Sequence, residues 1–303
     1  MTTSTVTTVR EGGAGVSIPE RAAMVARVAG EAAVDVDRQA RFPVEAVAEL
    51  RRRQLLGASV SSAQGGEDAG IDEIAQCARL LGQACASTGM IFAMHQIQVW
   101  CLMRHATGPT LRAYLTRVGT EQLLLASATS EVNVGGDVRT SICAVESGDG
   151  GVTLTKQAPV ISYGDQADAV LATARRSPDS PPSDQILVVC TPPGLALQPT
   201  TEWDTLGFRG TVSRGYVLQA TIDDAMVLTD PYGDISSQTM LPVSHILWAS
   251  VWLGLAESAG RKAQRFVRQG ARKRPGVATP AGTRLAELSV LIGQFRSQVG
   301  AAV

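Results

Sequence analysis

The stretch LASATSEVNVGGD, residues 125–137, marks the point where the pattern of the chain changes. Upstream of it, apolar residues recur every three or four positions, as they do in amphipathic helices. Downstream, short runs rich in Val, Ile and Thr alternate with clusters of Gly, Pro, Asp and Ser, as in strands joined by turns. The chain therefore reads as a helical region followed by a β-region.

The same stretch has two interpretations when it is taken alone. Gly135 and Gly136 beside Asn133 suit a hairpin turn, but they also let a ligand approach the backbone closely. The hydroxyls of Thr129 and Ser130 stand just before them. The lysine of a Walker A loop is missing, and no helix follows as a Rossmann fingerprint requires. A plain turn and a cofactor loop both remain open.

Residues 1–122 form the predicted N-terminal helical domain. Ser17-Ile18-Pro19-Glu20 has the form of a capping box, and a second helix begins after Pro43. Further helices are predicted over residues 72–85, 86–105 and 109–118.

Residues 123–236 form a predicted antiparallel β-domain, and residues 237–303 return to helical periodicity. The last part carries two long helices, over residues 241–269 and 281–299. Two helices leave an apolar face with too little to pack against, which predicts an incomplete bundle. The fold class is thus α+β and multidomain, and we expect the bundle to be completed by more chain or by a partner in a homo- or hetero-oligomer.

Composition excludes several classes of partner. The 303 residues carry 27 basic and 28 acidic side chains, well mixed, so no strong field attracts nucleic acid or an anionic membrane surface. Residues 240–256 are apolar but contain Pro242 and are shorter than a membrane span, which favours a central bundle helix. Without a visible signal peptide, we expect a cytoplasmic protein. The cysteines lack metal-ligand or redox spacing and are expected to be buried free thiols: Cys77, Cys85, Cys101, Cys143 and Cys190.

Several segments taken in order resemble the acyl-CoA dehydrogenase superfamily of flavoproteins. They are RQARFPVEAVAELRRRQLLG, QGGEDAG, STGMIFAMHQ, ASATSEVNVGGDVRT, VISYGDQAD and WDTLGFRGTVSRGYVL. The resemblance runs from about residue 18 to the end. It implies the three-part architecture above, with FAD lying between the β-domain and the C-terminal helices.

The resemblance also implies which residues meet the cofactor. The loop with Ser127, Thr129, Ser130 and Gly136 would line the flavin and its pyrophosphate. Val160, Ile161 and Ser162 would border the flavin ring, with the Ser162 hydroxyl near nitrogen N5. Arg272 would reach the FAD of a neighbouring subunit, although an arginine there could equally be a solvated helix cap. Val132-Asn133, where many members have Pro-Gly, and Val160, where many have an aromatic residue, depart from the family pattern.

The catalytic base of a dehydrogenase is not evident in this sequence. Removing an α-proton while hydride leaves for the flavin requires a base, and the family uses a glutamate. One family position would lie beyond Val303; the other matches Ser244, with His245 beside it. These two residues and Gly136 are the candidate substrate contacts, and His245 is a candidate catalyst, whereas Glu257 is taken as an ordinary surface or bundle residue.

His95 is the other candidate catalyst, because relatives that hydroxylate with oxygen carry a histidine in a matching position. A buried core histidine is the alternative. His105 is expected to be a cap or surface residue. Thr211 and Ser213, in WDTLGFRGTVSRG, are expected to fix a turn that supports the site.

These features predict an FAD-dependent acyl-CoA dehydrogenase-like enzyme that oxidises an acyl-CoA or acyl-carrier thioester. Its electrons would pass to an electron-transfer flavoprotein. The missing base leaves three interpretations open: the chain is a base-deficient subunit of a hetero-oligomer whose partner completes the FAD site, a degenerate homologue, or an incomplete chain. Two alternatives stay open: a flavin-dependent monooxygenase of the same superfamily, and a non-catalytic structural subunit.

Overall fold

The computed structural model describes residues 15–148, 150–273 and 279–303. Five helices form the N-terminal region: α1 (Ile18–Gln39), α2 (Val44–Arg52), α3 (Ile71–Ala84), α4 (Ala86–His105) and α5 (Pro109–Glu121). The capping box that begins α1 is formed, since the Ser17 backbone N–H donates to the Glu20 carboxylate at 2.8 Å and Glu20 N–H donates back to Ser17 Oγ. α4 is buried almost all round, which makes it the central helix of this region.

The middle region contains two sheets. Strands β1 (Leu125–Ala128), β4 (Ala169–Arg175) and β5 (Gln185–Cys190) form one sheet in the order β1-β4-β5. Strands β2 (Glu146–Gly148), β3 (Gly151–Ile161), β6 (Leu195–Pro199) and β7 (Arg214–Ile222) form the other in the order β2-β3-β7-β6.

One strand pair differs from the expected antiparallel arrangement. β1 and β4 run parallel, with Leu125 opposite Ala169. A parallel pair needs a crossover connection, and here the chain leaves β1, builds β2 and β3 of the other sheet, and returns as β4. The middle domain is therefore mixed.

The C-terminal region is one long helical run and a second helix. A short helix, α6 (Tyr232–Ile235), passes through a π-helical turn (Ser236–Met240) into α7 (Leu241–Lys273), and α8 (Pro280–Ala302) follows. Of the described helices, the continuous run Tyr232–Arg272 has the length and hydropathy of a membrane span, with half of its most apolar window buried in the protein. A helix in the core of a protein can have the same length and hydropathy, so these two properties are weak evidence for a membrane span.

The first part of α7 lies against α3 at very short range. A Cβ on Gly254 would come within 2.1 Å of the Arg79 carbonyl oxygen, and one on Gly82 within 2.6 Å of the Val251 carbonyl oxygen. Glycine is required at both positions because any side chain would push the two helices apart. One hydrophobic core runs continuously from these helices into both sheets.

Three side-chain expectations concern this scaffold. All five cysteines are free and buried, as expected. His105 is buried, so its interpretation as a surface residue was wrong: Nδ1 lies 2.7 Å from Asp230 Oδ2 and Nε2 lies 2.8 Å from Thr239 Oγ1 in the π-helical turn. Glu257 is a buried bundle residue whose carboxylate holds Arg79 of α3 and Arg296 of α8.

Candidate functional site

The loop after β1 and the end of β3 meet in space, which brings together two of the segments predicted to contact a cofactor. Ser130 Oγ lies 3.4 Å from the carbonyl oxygen of Val160, to which it donates. Ser127 lies in β1 opposite Leu171, and the Thr129 carbonyl accepts from the Thr173 hydroxyl at 3.4 Å. Ser127, Thr129 and Ser130 are all partly exposed, so a ligand can reach them.

A buried ion pair anchors this loop. Lys156 Nζ, on β3, lies 3.0 Å from Glu131 Oε2 and donates to the Thr173 carbonyl at 2.9 Å. Burial by itself raises the pKa of Glu131, but hydrogen bonds from Ser141 and the charge of Lys156 outweigh it, so the pKa lies below its usual value. The Glu131 carboxylate also accepts the Cys143 backbone N–H at 2.7 Å. The ion pair therefore holds Glu131, the residue directly after Ser130, in place.

Beyond Glu131 the loop turns through left-handed backbone conformations. Asn133, Gly135 and Gly136 have φ values of 71°, 62° and 83°. A Cβ at either glycine would meet nothing within 4 Å, so both face open space. Their backbone is accessible to a ligand, as the predicted role of Gly136 requires.

The end of β3 presents a different set of atoms from the one the sequence suggested. A register shift between Ala158 and Ile161 takes Val160 out of the ladder with β7, and such bulges re-aim side chains. Val160 is 42% exposed, whereas Ile161 is fully buried. Val160 therefore offers an apolar wall, and Ile161 has only its backbone to offer a cofactor.

Ser162 belongs to a chain of hydroxyls that the structure assembles. Its Oγ lies 2.8 Å from Ser213 Oγ, which lies 2.8 Å from Thr211 Oγ1. Thr211 Oγ1 in turn donates to the carbonyl oxygen of Phe208 at 2.9 Å. The expected structural role of Thr211 and Ser213 thus extends to a direct link with Ser162.

The loop that carries this chain is held tightly in place. Phe208 and Val212 have φ values of 54° and 44°, conformations that cost energy for residues with a side chain. A Cβ on Gly210 would come within 2.4 Å of Val36, and the Gly210 N–H donates to Ser87 Oγ on α4 at 3.1 Å. Strained backbone that persists under such packing is typical of functional sites.

His95 lies behind the loop after β1. It is fully buried, its Nε2 lies 2.8 Å from the Leu56 carbonyl oxygen, and its Nδ1 accepts the Leu125 N–H at 3.0 Å. The bonding pattern makes Nε2 the protonated nitrogen and the ring neutral, and burial lowers the pKa to about 4. Because the backbone occupies both nitrogens, neither is available to a substrate.

The remaining candidates lie on α7. Ser244 is buried, and its hydroxyl donates to the Leu241 carbonyl of the same helix at 2.8 Å. His245 is exposed one residue further on. Arg272 is exposed in the last turn of α7, where contact with a neighbouring subunit's cofactor stays a prediction.

Two residues of the site escaped the sequence reasoning. Lys156 did have a signal, because it falls in phase with the buried residues Val152, Leu154 and Ala158 along β3. Tyr163 had none: it adopts a φ of 44° and donates its hydroxyl to the Leu125 carbonyl at 3.0 Å. Leu125 is therefore held by His95 on one side and Tyr163 on the other.

The residues present fit a flat, partly apolar cofactor with polar edges. Val160 supplies an exposed apolar surface, Ser130 and Ser162 supply hydroxyls, and the glycine loop supplies accessible backbone. Among the described residues, the buried acidic side chains are Glu131 and Glu257, and both are held by basic groups. Neither is free to act as a base.

Comparison with known proteins confirms the resemblance. Residues 11–122 match the family model of the acyl-CoA dehydrogenase N-terminal domain. L-evernosamine nitrososynthase from a Micromonospora species is 28% identical over 93% of this chain and 68% of its own length. The amino sugar nitrososynthase DnmZ of Streptomyces peucetius is 27% identical over 89% of this chain and 67% of its own length.

Solved structures share the fold at low identity. FMN-bound TdsC from Paenibacillus sp. A11-2 matches with a TM-score of 0.80 and 20% identity, over 94% of this chain and 76% of that one. KijD3 in complex with dTDP matches with a TM-score of 0.77 and 21% identity, over 94% of this chain and 74% of that one. Butyryl-CoA dehydrogenase from Megasphaera elsdenii matches with a TM-score of 0.76 and 18% identity, over 94% of this chain and 76% of that one. The chain has the acyl-CoA dehydrogenase-like fold.

Proposed function

We propose that this chain, which has the acyl-CoA dehydrogenase-like fold, is a flavin-dependent monooxygenase. The reaction takes a substrate, dioxygen and reduced flavin to the oxygenated substrate, water and oxidised flavin. One oxygen atom enters the substrate, and the other leaves as water with the two hydrogens of the reduced flavin. This replaces acyl-CoA dehydrogenation, the first expectation from the sequence, as the leading proposal.

The observation that carries the proposal is the chemistry of the groups that line the site. Dehydrogenation of a thioester needs a free base beside the flavin. The buried carboxylates of Glu131 and Glu257 are both tied up by basic side chains, while hydroxyls line the loop and the end of β3. Transfer of oxygen from a reduced flavin does not depend on removing an α-proton, so a site of this kind suits it better.

The described residues would hold the cofactor through its edges and one face. Ser127, Thr129 and Ser130 with the Gly136 backbone would hold polar groups, and Val160 would pack against the ring. When bound, the reduced flavin supplies the electrons that activate dioxygen. The structural neighbour TdsC is described with FMN, so FMN is proposed beside FAD as the cofactor. A separate reductase would deliver it in reduced form.

We propose that the substrate is an amino sugar and that the oxygen atom is transferred to its nitrogen. Both curated relatives are described as nitrososynthases, one of L-evernosamine and one of amino sugars. A solved neighbour is described in complex with dTDP, which favours a nucleotide-linked sugar over a free one.

The test is oxygen incorporation from ¹⁸O₂. The purified chain is supplied with FMN or FAD, a flavin reductase, NADH and a nucleotide-linked amino sugar, and the product is analysed by mass spectrometry. We expect one labelled oxygen atom per oxidation step. Ser130→Ala should reduce turnover, while Ser62→Ala, on an exposed turn, serves as the matched control. Turnover without labelled oxygen in the product would contradict the proposal.

Acyl-CoA dehydrogenation remains the second candidate, favoured by the family match of residues 11–122. It would use FAD, an acyl thioester, and an electron-transfer flavoprotein as acceptor. Bleaching of the bound flavin by an acyl-CoA under anaerobic conditions would distinguish dehydrogenation from monooxygenation. In either case we propose a cytoplasmic oligomer in which Arg272 reaches a neighbouring subunit. A purified monomer that retains flavin and turns over would contradict this assembly.

A further inference from the structure

A cleft between α3, α7 and α8 lies outside the proposed flavin site. Its volume is about 500 Å³, and its described lining residues all belong to these three helices. Ser130, Gly136 and Val160 lie instead in the loop after β1 and at the end of β3. A ligand in the cleft would therefore occupy a second, separate site.

The carboxylate in the wall of the cleft is fully occupied by its neighbours. Glu257 is 6% exposed. Its oxygens accept from three side chains: Arg79 and Gln83 of α3 and Arg296 of α8. Arg296 donates to Oε1 through both Nε and Nη2, at 3.0 and 2.9 Å. Because a carboxylate offers about four acceptor positions, Glu257 has none left for another cation.

Arg261 is the third arginine of the cleft. Among the described residues, the carboxylate of this cleft pairs with Arg79 and Arg296 and not with Arg261. The Nη2 of Arg261 donates instead to the side-chain carbonyl oxygen of Gln83 at 3.1 Å, and this neutral amide does not offset its charge. The lining therefore carries three arginines and one glutamate, an excess of two positive charges.

The sequence around the cleft adds to this positive charge. Acidic and basic residues balance over the whole chain, but residues 258–286 contain no acidic residue. The basic residues of that stretch are Arg261, Lys262, Arg265, Arg268, Arg272, Lys273, Arg274 and Arg284. Charges of one sign beside a cleft raise the local concentration of ions of the opposite sign. The overall balance thus conceals a local preference for anions.

The wall that α8 contributes is apolar. Leu285, Leu288 and Ile292 line the cleft and are partly exposed. Gly293 lines it as well, and a Cβ there would meet nothing within 4 Å, so the wall leaves room for a ligand. The cleft therefore has a cationic side on α3 and α7 and an apolar side on α8.

We propose that this cleft binds a phosphate monoester. The excess of two positive charges matches a phosphate dianion, and guanidinium groups bind phosphate oxygens through paired N–H donors. Arg261 would bind the phosphate directly, while Glu257 orients Arg79 and Arg296 beside it. The organic part of the ligand would pack against the α8 wall. A bound ester would join α8 to α3 and α7.

The experiment measures dissociation constants of phenyl phosphate and of inorganic phosphate by calorimetry, with the whole chain at physiological salt. We expect phenyl phosphate to bind more tightly, because only the ester uses the apolar wall. Arg261→Gln should weaken binding about tenfold or more, the loss of one charge-assisted hydrogen bond. Arg261→Lys keeps the charge and should recover part of the affinity. Circular dichroism and melting temperature verify that each variant folds.

Arg265→Gln is the matched control, since it removes the same charge from the same helix at an exposed residue that does not line the cleft. Its affinity should stay within about twofold of wild type, because salt screens charges outside the cleft. Equal weakening by Arg261→Gln and Arg265→Gln would overturn the inference, since it would indicate diffuse attraction to a basic helix.

Hydrogen exchange locates the bound ester. Phenyl phosphate should slow exchange along α8, whose residues form the apolar wall. Slowing confined to the loop after β1 would place the ester in the proposed flavin site and overturn the inference, as would the absence of binding to the folded chain. Inorganic phosphate binding as tightly as phenyl phosphate would overturn the role of the α8 wall and identify free phosphate as the ligand.

Discussion

His95 and Tyr163 hold the same residue from opposite sides. His95 Nδ1 accepts the Leu125 N–H at 3.0 Å, and the Tyr163 hydroxyl donates to the Leu125 carbonyl at 3.0 Å. Leu125 begins β1, the strand that leads into the loop containing Ser130. An imidazole on α4 and a phenol at the end of β3 thus fix where that loop starts.

The stability of the protein should fall as the pH drops from about 6.5 toward 4. His95 is neutral in the folded state, with a pKa of about 4, but it binds a proton near pH 6.5 once unfolded. Below pH 6.5 the unfolded state holds the extra proton, so acid favours unfolding by up to about 1.4 kcal/mol per pH unit. Urea unfolding at pH 7 and pH 5.5 measures this.

Two variants isolate the His95 contribution. His95→Gln should show a flatter dependence over this range, because glutamine does not titrate. His245→Gln, at an exposed histidine, should keep the wild-type slope. Equal slopes for wild type and His95→Gln would refute the assignment of the acid sensitivity to His95.

Loss of Lys156 should destabilise the loop after β1. Lys156→Met leaves the Glu131 carboxylate buried without its positive partner, which costs about 3–5 kcal/mol in comparable pairs. Lys156→Met combined with Glu131→Gln should recover part of that loss, because no charge is then buried alone. Urea unfolding of both variants gives the comparison, and a cost below about 1 kcal/mol for Lys156→Met would show that the pair is dispensable.

A methyl group at Gly254 should separate α3 from α7. The added Cβ would lie 2.1 Å from the Arg79 carbonyl oxygen, a backbone atom that cannot swing aside. We expect Gly254→Ala to cost at least 2 kcal/mol, roughly the upper range of overpacking effects. Gly293→Ala is the matched control on α8, where nothing lies within 4 Å, and it should stabilise by about 0.5–1 kcal/mol. Similar melting temperatures for both variants would contradict the close crossing.

Arg296 should hold α8 against the bundle. Its Nε and Nη2 atoms lie 3.0 and 2.9 Å from Glu257 Oε1, and the same carboxylate accepts from Arg79 of α3. Arg296→Ala should therefore speed hydrogen exchange along α8. Arg284→Ala breaks an exposed pair with Glu287 within α8 and should leave exchange near the wild-type rate. Unchanged exchange in Arg296→Ala would mean that apolar packing alone holds the helix.

The sequence by itself determined the order of the regions and many local details. Helix periodicity, the Ser17 capping box and the change at residues 125–137 depend on neighbours within a few positions, and the structure shows them as expected. The segment pattern also pointed to the family whose N-terminal domain model matches residues 11–122, and to the fold that the solved structures share. Such features are local because helix hydrogen bonds and caps join residues three or four apart.

Only the tertiary structure decided which distant atoms meet. Ser162 and Ser213 are 51 residues apart in sequence, Ser130 and Val160 are 30 apart, and each pair is joined by one hydrogen bond. The burial that neutralises His95 comes from packing α4 between Leu56 and Leu125, which no periodicity encodes. Partners across such distances are selected by the packing of whole elements. The sequence could therefore name candidate residues, while their bonding and charge depended on the fold.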